Sequence, residues 1–272
     1  MLNEIEKLED GLYYFECCGG MGDTMLTCGY MKALEKKYCS KIKLIVKKSH
    51  AFIPEMFEIT DSLVIGRDIS ETFIKKKTFS EPKIGKVYSA HPCKHPELWS
   101  FFEPVYYYTS TIRFLEWFKQ FLGIDKDTQL VFPKSYPKLP KKLRDAILQI
   151  APLNKVAMIS PEAVSVPALP QYFWEELVEK LNQDGLQVIC NVMNPENTVS
   201  GTHYISMSSS DAVALSMECN SVYSVRSGLC DLIFERGADL HVYHPLHKTF
   251  FLYEMNEMFP GINIDERIIL PE

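Results

Sequence analysis

The segment from Tyr13 to Tyr38 constrains the fold more tightly than any other part of the chain. It opens with a short apolar and aromatic run and closes with apolar residues that recur at spacings of three and four. Between these two parts lie three closely spaced glycines, Gly19, Gly20 and Gly22. The periodicity predicts a helix, and glycines permit both backbone angles that side chains forbid and the close approach of a ligand. The segment therefore predicts a strand, a tight glycine turn and a helix.

Asp23 and Thr24 follow the glycines, at the predicted start of the helix. A side-chain oxygen at such a position can accept a hydrogen bond from the free backbone N–H groups of the first helical turn. The start of a helix also favours an anion or a phosphate group. From the residues alone, Asp23 is therefore interpreted as a helix cap.

The composition is that of a soluble globular protein. The chain has 272 residues, of which 46% are hydrophobic and 24% charged, and its net charge is −6. No apolar run approaches the ~18 residues that a membrane span requires, and the acidic N-terminus resembles neither a signal nor a transit peptide. The net charge argues against a nucleic-acid partner. We therefore expect a cytoplasmic protein, with peripheral contact at the inner face of the membrane left open.

The cysteines and histidines do not indicate a metal site. None of the eight cysteines forms a Cys-x-x-Cys pair, so they are interpreted as thiols in a reducing compartment. His91, Cys93 and His95 are three potential zinc ligands close together, but a second ligand group at a recognisable spacing is missing. A loop that happens to carry these residues is the favoured interpretation. We expect neither a metal nor a cofactor.

Strands alternate with helices in both halves of the chain. Predicted strands cover 41–48, 61–66, 86–90, 155–163, 186–193, 202–207, 221–228 and 238–245. Predicted helices cover 50–60, 111–122, 170–185, 209–220, 229–237 and 246–259. This alternation implies parallel sheets with helices on both faces.

A proline- and lysine-rich stretch, 132–147, separates the two halves and is interpreted as a linker. The prediction is an α/β fold with two Rossmann-like domains, 1–140 and 141–272, that face a cleft. In such sheets ligands bind outside the carboxyl ends of the strands. The loops at 17–24, 160–167, 191–200 and 224–231 are then expected to border the cleft.

The glycine turn excludes two common nucleotide-binding classes. The sequence GGMGD is not the GxGxxG dinucleotide fingerprint, and the next strand ends in Lys47 and Lys48 rather than in an acid. It is not a phosphate-binding P-loop either, because no GK[ST] follows. Both a dehydrogenase and a nucleoside triphosphatase are therefore disfavoured.

The stretch GGMGDTMLTCGYMKALEKKY resembles the first turn and helix of the heptosyltransferase-type glycosyltransferases of family nine. The resemblance is specific over 15–38 and looser beyond. It implies the two-domain GT-B fold, an acceptor-side loop made by Gly19, Gly20, Gly22 and Thr24, and a catalytic base at Asp23. An inverting sugar transfer needs such a base to take the proton of the acceptor hydroxyl. Cap and base both remain open as roles for Asp23, and one residue can fill both.

Two later segments are similar to the family's donor site. In ISPEAVSVPALP, residues Ser160, Glu162 and Ser165 occupy the donor loop, but Val166 and Pro167 replace the family's usual basic residue. In SVRSGLCDL, Ser227 and Gly228 match the turn that holds the donor diphosphate, whereas Arg226 and Asp231 stand at the family's Asp and His positions.

The departures at Arg226 and Asp231 each have a functional and a structural interpretation. Arg226 either offsets the charge of the leaving diphosphate or pairs with an acid such as Asp211 or Glu218. Asp231 either belongs to the diphosphate-binding turn or caps its helix. Helix-start N–H groups after Gly228 could still bind a diphosphate.

The resemblance implies a glycosyltransferase that moves a sugar from a nucleotide-diphosphate donor to a bacterial surface glycan, either capsule or lipopolysaccharide. Transfer is expected to proceed with inversion and without a metal. The expected partners are the nucleotide sugar and a glycan or lipid-linked glycan acceptor. Domain 1–140 would hold the acceptor and 141–272 the donor, with the last helix crossing back. A nucleotide-sugar epimerase or hydrolase and a non-catalytic sugar-binding module remain as alternatives.

Overall fold

The chain folds into two compact units, Met1–Ser135 and Tyr136–Glu272. The computed structural model describes residues 12–17, 19–65, 87–89, 114–164, 166–246 and 254–270. The cluster of His91, Cys93 and His95 and the predicted donor residue Ser165 lie outside these ranges. Each unit is built around its own parallel β-sheet, which confirms the predicted α/β class.

The described residues of the first unit form a four-stranded parallel sheet of order β3-β2-β1-β4. Its strands are β1 (Tyr13–Cys17), β2 (Ile42–Lys47), β3 (Ser62–Ile65) and β4 (Val87–Ser89). Its helices are α1 (Met21–Gly29), α2 (Met31–Tyr38), α3 (Phe52–Met56) and α4 (Phe114–Leu122). The strands predicted at 41–48, 61–66 and 86–90 are confirmed as β2, β3 and β4.

The helix predicted up to Tyr38 is interrupted at Tyr30, which joins α1 to α2. The reason lies in packing against a distant segment. The N–H of Val131 donates to the carbonyl of Gly29 at 3.1 Å. A Cβ atom at Gly29 would overlap the Leu130 side chain and lie 2.8 Å from the Val131 carbonyl oxygen. Glycine at this position therefore allows the segment at 130–131 to pack directly on the backbone.

The second unit contains a six-stranded parallel sheet of order β10-β9-β8-β5-β6-β7. Its strands are β5 (Val156–Ser160), β6 (Gln187–Cys190), β7 (His203–Tyr204), β8 (Ser221–Val225), β9 (Leu240–Pro245) and β10 (Asp265–Ile269). Its helices are α5 (Lys141–Ile150), α6 (Gln171–Gln183), α7 (Ser209–Glu218), α8 (Gly228–Leu232) and α9 (Met255–Met258). On one face of the sheet, Trp174 of α6 packs edge-on against Tyr243 with ring centroids 5.8 Å apart.

Three predicted elements of the second unit differ from the structure. The strand predicted at 202–207 has two residues, and the helix predicted at 229–237 ends at Leu232 and continues as a 3₁₀ helix, Phe234–Asp239. In the described part of the predicted helix 246–259, only Met255–Met258 is helical. The sequence analysis also missed β10, which begins with three charged residues and lacks the apolar alternation of a half-buried strand.

Each sheet has one point at which the strand order reverses. In the first sheet β1 lies between β2 and β4, and in the second β5 and β8 are neighbours from which the chain continues in opposite directions. In sheets of this kind ligands bind outside the carboxyl ends of the strands at this reversal. The turn after β1 and the loops after β5 and β8 occupy these positions.

Candidate functional site

The turn after β1 presents a carboxylate at the carboxyl end of the sheet. Gly20 precedes α1, and its N–H donates to Asp23 Oδ2 at 2.7 Å. Asp23 thus caps the helix from inside the first turn rather than from the position before the helix. A Cβ atom at Gly20 would lie 3.2 Å from the same carboxylate oxygen. The absence of a side chain at Gly20 therefore leaves room for the carboxylate in this orientation.

Thr24 joins the turn to the end of β1. Its hydroxyl is buried and lies 3.2 Å from the carbonyl oxygen of Cys17 and 3.1 Å from that of Gly20. It also lies 3.3 Å from Nδ1 of His50. Of the other predicted acceptor-side residues, Gly19 is half-buried in the turn and Gly22 is buried within α1. The structure brings the whole predicted acceptor-side loop together at the start of α1.

Two residues that the sequence analysis did not select contact this turn from the end of β2. Lys47 Nζ donates to the carbonyl of Gly19 at 3.0 Å, and His50 lies against Thr24. Cys17 of β1 is paired in register with Val46 of β2. The residues that follow Val46 therefore lie next to those that follow Cys17. Adjacency of the two parallel strands was the signal that could have identified Lys47 and His50.

Burial changes the protonation of His50. The pKa of His50 is lowered from 6.5 to about 4, mainly by desolvation and also by the positive charge of Lys47, whereas Asp23 opposes the shift. The imidazole is therefore neutral around pH 7. A buried neutral ring can hold a fixed hydrogen bond without requiring a counter-charge.

We expect His50 to make the stability of the first unit fall with acidification. Between pH 6.5 and about 4 the unfolded chain binds a proton that folded His50 does not, so stability is complete above pH 6.5 and is lost as the pH falls. The loss between pH 7 and 5 should be on the order of 1–2 kcal/mol. The measurement is urea unfolding of the wild type and of His50→Gln at both pH values. The wild type should lose this much more than the variant, and parallel losses would contradict the assignment.

The loops after β5 and β6 are tied together by side chains of the predicted donor site. Ser160, at the end of β5, accepts a hydrogen bond from Asn191 Nδ2 at 3.1 Å. The carboxylate of Glu162 accepts from the N–H of Met193 at 2.8 Å and from Asn197 Nδ2 at 2.6 Å. Glu162 therefore fixes the loop after β6 against the loop after β5. The sequence analysis missed these three partners because all of them lie in a loop without a motif.

The turn after β8 is organised by Arg226. This residue is buried, and its guanidinium donates to the carbonyl of Ser227 at 2.7 Å and to Asp231 Oδ1 at 2.6 Å. Burial opposes the charged form, but the carboxylate of Asp231 outweighs it, so the pKa of Arg226 is raised. Gly228 begins α8, and the extended backbone of Ser227 precedes it. The ion pair of Arg226 and Asp231 therefore holds the Ser227–Gly228 turn from its buried side.

The acids that the sequence analysis offered as partners of Arg226 have other contacts. Asp211 caps α7 and accepts from the N–H of Ser208 at 3.0 Å, and Glu218 pairs with Arg144. Arg226 does pair with an acid, but that acid is Asp231. Asp231 lies in the first turn of α8, and its carboxylate accepts a hydrogen bond from Arg226.

A second buried contact lies beside this turn. His244 Nε2 and Glu266 Oε1 are 2.6 Å apart, and Glu266 also accepts from the N–H of Met255 at 2.6 Å. Met258 of the same short helix contacts Arg226 through Sδ at 3.3 Å. Glu266 therefore joins β9, β10 and α9, and α9 in turn contacts the arginine of the turn.

Two further properties bear on the candidate site. In the described ranges, no group of three or more His, Cys, Asp or Glu side chains is placed to bind a metal ion. Among the helices of the same ranges, none is long and apolar enough to cross a membrane.

Comparisons with known proteins identify the fold. No family model matches the sequence, and no curated protein matches it either. Solved structures do match. The glycosyltransferase of family nine from Veillonella parvula is 13% identical with a TM-score of 0.58, over 96% of this chain and 87% of its own.

Two structures from E. coli are similar to the same extent. The ADP-heptose lipopolysaccharide heptosyltransferase II is 13% identical, with a TM-score of 0.58 over 94% of this chain and 89% of its own. The heptosyltransferase WaaC, solved with ADP, is 15% identical, with a TM-score of 0.55 over 96% of this chain and 93% of its own. The chain has the fold of the family-nine heptosyltransferases, which confirms the predicted resemblance at the level of the fold.

Proposed function

We propose that this chain is a glycosyltransferase that moves a sugar from a nucleotide-diphosphate donor to a bacterial surface glycan, capsule or lipopolysaccharide. The observation that carries the proposal is the position of Asp23. The stretch whose sequence resembles the first turn of the family-nine enzymes lies at the carboxyl end of β1, at the reversal point of a sheet in a chain with that family's fold. Sequence motif and fold support the same family independently, because the motif covers a small part of the chain and the fold nearly all of it.

On the acceptor side, Asp23 acts as the general base. Its carboxylate takes the proton of the acceptor hydroxyl while that oxygen attacks the anomeric carbon of the donor, and the nucleoside diphosphate leaves with the bonding electron pair. Attack opposite to the leaving group inverts the anomeric centre. The bond from the Gly20 N–H to Asp23 Oδ2 supports this role, since it fixes the orientation of the carboxylate at the turn. A correctly placed general base contributes roughly 10²–10⁴-fold to the rate.

On the donor side, the turn at Ser227 and Gly228 binds the diphosphate. The first backbone N–H groups of a helix have no partner within the helix and carry partial positive charge, which suits a phosphate. The similar heptosyltransferase WaaC was solved with ADP, a nucleoside diphosphate. Arg226 stabilises the turn through its hydrogen bond to the Ser227 carbonyl. Because Asp231 offsets the charge of Arg226, the backbone N–H groups at the start of α8 supply most of the contact with the leaving diphosphate. The proposed transfer needs no metal, because these N–H groups offset part of the charge on the leaving diphosphate.

The remaining predicted residues complete the donor side. Ser160 ends β5 and Glu162 lies in the loop after it, and both hydrogen-bond to the loop after β6. Strand β8 is the other neighbour of β5. Ser165 belongs to the same loop of the sequence. The proposal assigns 1–140 to the acceptor and 141–272 to the donor. The protein acts in the cytoplasm, at the inner face of the membrane when the acceptor is lipid-linked.

A non-catalytic binding module for nucleotide sugars is the second candidate. It is favoured by Val166 and Pro167, which stand where the family has a basic residue. Such a module would bind the donor without turning it over. An epimerase or hydrolase, in contrast, would turn the donor over without an acceptor.

We expect one nucleoside diphosphate among ADP, UDP, GDP and CDP to raise the melting temperature by roughly 5 °C at 100 times its Kd, because it binds only the folded state. The measurement is a thermal-shift screen with and without EDTA. The shift should persist in EDTA, since the N–H groups rather than a metal bind the phosphates. CMP, which has one phosphate, serves as the control and should give a smaller shift. A screen without any shift would contradict the donor site at Ser227 and Gly228.

A further inference from the structure

The hydroxyl of Thr24 has three polar neighbours and a single hydrogen. Two of these neighbours are the carbonyl oxygens of Cys17 and Gly20, at 3.2 and 3.1 Å, and the third is Nδ1 of His50 at 3.3 Å. A hydroxyl donates one hydrogen bond and accepts up to two, whereas a carbonyl oxygen only accepts. Because both carbonyl oxygens lie closer to the Thr24 oxygen than Nδ1 does, we assign the hydrogen of Thr24 to a carbonyl, and His50 then bonds to Thr24 by donating from Nδ1.

The opposite tautomer would leave the contact unsatisfied. With its hydrogen on Nε2, His50 would direct the lone pair of Nδ1 at the hydroxyl, and three acceptors would compete for one hydrogen. Both Thr24 and His50 are buried, with 0% and 8% of their surfaces exposed. A buried polar group without a hydrogen-bond partner costs the desolvation energy of that group. The geometry therefore selects a ring with hydrogen on Nδ1.

The contact between His50 and Thr24 is connected to the candidate base, Asp23, through the glycine turn. Thr24 follows Asp23 directly, and its hydroxyl lies against the carbonyl of Gly20, whose N–H binds the Asp23 carboxylate. At the other end of the turn, Lys47 donates to the carbonyl of Gly19 at 3.0 Å. Two residues from the end of β2 thus hold the turn at both ends. Charged groups facing His50 are Lys47 and Asp23, which act on it in opposite directions.

We infer that His50 is a positioning residue for the transfer reaction, which donates from Nδ1 to Thr24 Oγ1 and thereby fixes the turn that carries Asp23. The inference rests on the proposed function. His50 itself need not touch the substrate. A displacement of a reacting group by about 1 Å costs on the order of 10²-fold in rate, so the turn must be held closely for the carboxylate to meet the acceptor hydroxyl.

The test compares two amides at position 50. In His50→Asn the amide nitrogen lies as many bonds from Cα as Nδ1 does, so it can donate to Thr24 in the same way. In His50→Gln the amide lies at the distance of Nε2. We expect His50→Asn to keep kcat within about threefold of the wild type and His50→Gln to lower kcat by roughly 10–100-fold, with the KM of the donor unchanged in both.

A double variant and an NMR measurement of the His50 ring complete the test. In Thr24→Val, which removes the hydroxyl, the further change His50→Gln should lower kcat by less than about threefold, because the contact is already lost. The nitrogen chemical shifts of His50, measured by NMR on the intact wild-type protein, should report a neutral ring with hydrogen on Nδ1. This measurement does not depend on activity or on the folding of any variant.

The outcomes separate the inference from the proposed function. If the wild type transfers sugar and the two amide variants lose kcat equally, the positioning role is wrong and the transferase stands. Hydrogen on Nε2 would overturn it as well, whatever the kinetics show. If the wild type transfers no sugar from any donor that binds, the proposed function fails, and the positioning role fails with it.

Discussion

Replacement of Asp23 by asparagine is expected to lower kcat for sugar transfer by roughly 10²–10⁴-fold, the usual contribution of a general base. The amide cannot take a proton from the acceptor hydroxyl, but its oxygen can still accept the hydrogen bond from the Gly20 N–H that Asp23 Oδ2 accepts at 2.7 Å. The turn should therefore keep its shape, and the affinity for the donor should be unchanged. The measurement is kcat together with the thermal shift induced by the nucleoside diphosphate.

A matched control for this substitution lies in the second unit. Asp211 accepts from the N–H of Ser208 at the start of α7, as Asp23 accepts from Gly20 at the start of α1. Asp211→Asn removes the same charge from the first turn of a helix, at a cost of about 0.3–1 kcal/mol in stability. Both variants should lose similar stability, but only Asp23→Asn should lose activity. Near-normal transfer by Asp23→Asn would mean that Asp23 is a helix cap and no base.

Replacement of Arg226 by methionine is expected to destabilise the second unit by roughly 3–5 kcal/mol. The guanidinium and the Asp231 carboxylate form a buried pair at 2.6 Å, with side chains only 6% and 9% exposed. Loss of the arginine removes the counter-charge of a buried carboxylate. Replacement of both residues, Arg226→Met with Asp231→Leu, should restore much of the stability, because an apolar pair of similar volume leaves no buried charge. Urea unfolding of the three variants measures this coupling.

The pair formed by Arg144 and Glu218 serves as the control. These side chains are 39% and 30% exposed, and a solvent-accessible ion pair contributes about 0–1 kcal/mol. Arg144→Met should therefore cost much less than Arg226→Met. If the single effects of Arg226→Met and Asp231→Leu simply add in the double variant, the two residues are not coupled, and the description of the turn after β8 is wrong.

The parts of the fold that local sequence determines were predictable. The turn between β1 and α1 follows from three glycines and the helical spacing that comes after them. Gly185, with a φ of +80°, lies just beyond α6, where the sequence predicted the end of that helix. Likewise β2 and β3 are short apolar runs at the predicted places. In each case the deciding residues lie within one element of one another.

The parts that depend on distant contacts were not predictable from pattern alone. The break at Tyr30 reflects the packing of the segment at 130–131 on Gly29. The last strand, β10, carries Glu266, whose carboxylate bonds to His244 and to the backbone of α9. Because β10 begins with charged residues, it lacks the apolar alternation that predicts a strand. Its hydrogen bonds and its pairing with β9 stabilise it in the folded unit.

In the candidate site, too, the features set by local sequence were predictable and those set by distant contacts were not. The motifs identified Asp23 and the Ser227–Gly228 turn, because glycine turns at strand ends have a recognisable sequence. Asp211 and Glu218 were offered as examples of an acid that could pair with Arg226, whereas the observed partner is Asp231, because α8 turns that carboxylate towards the guanidinium. His50 was missed because it lies 26 positions from Thr24 and reaches it only through the pairing of β1 with β2.

The most direct test of the transferase assignment is the release of nucleoside diphosphate from the nucleotide sugar whose diphosphate gives the thermal shift. Release is measured with and without a preparation of lipid-linked bacterial glycans, for the wild type and for Asp23→Asn. We predict release that requires the glycan, yields a larger glycan and depends on Asp23. Release without the glycan would indicate a hydrolase, and binding of the donor without any turnover would indicate a binding module; either result would contradict the assignment.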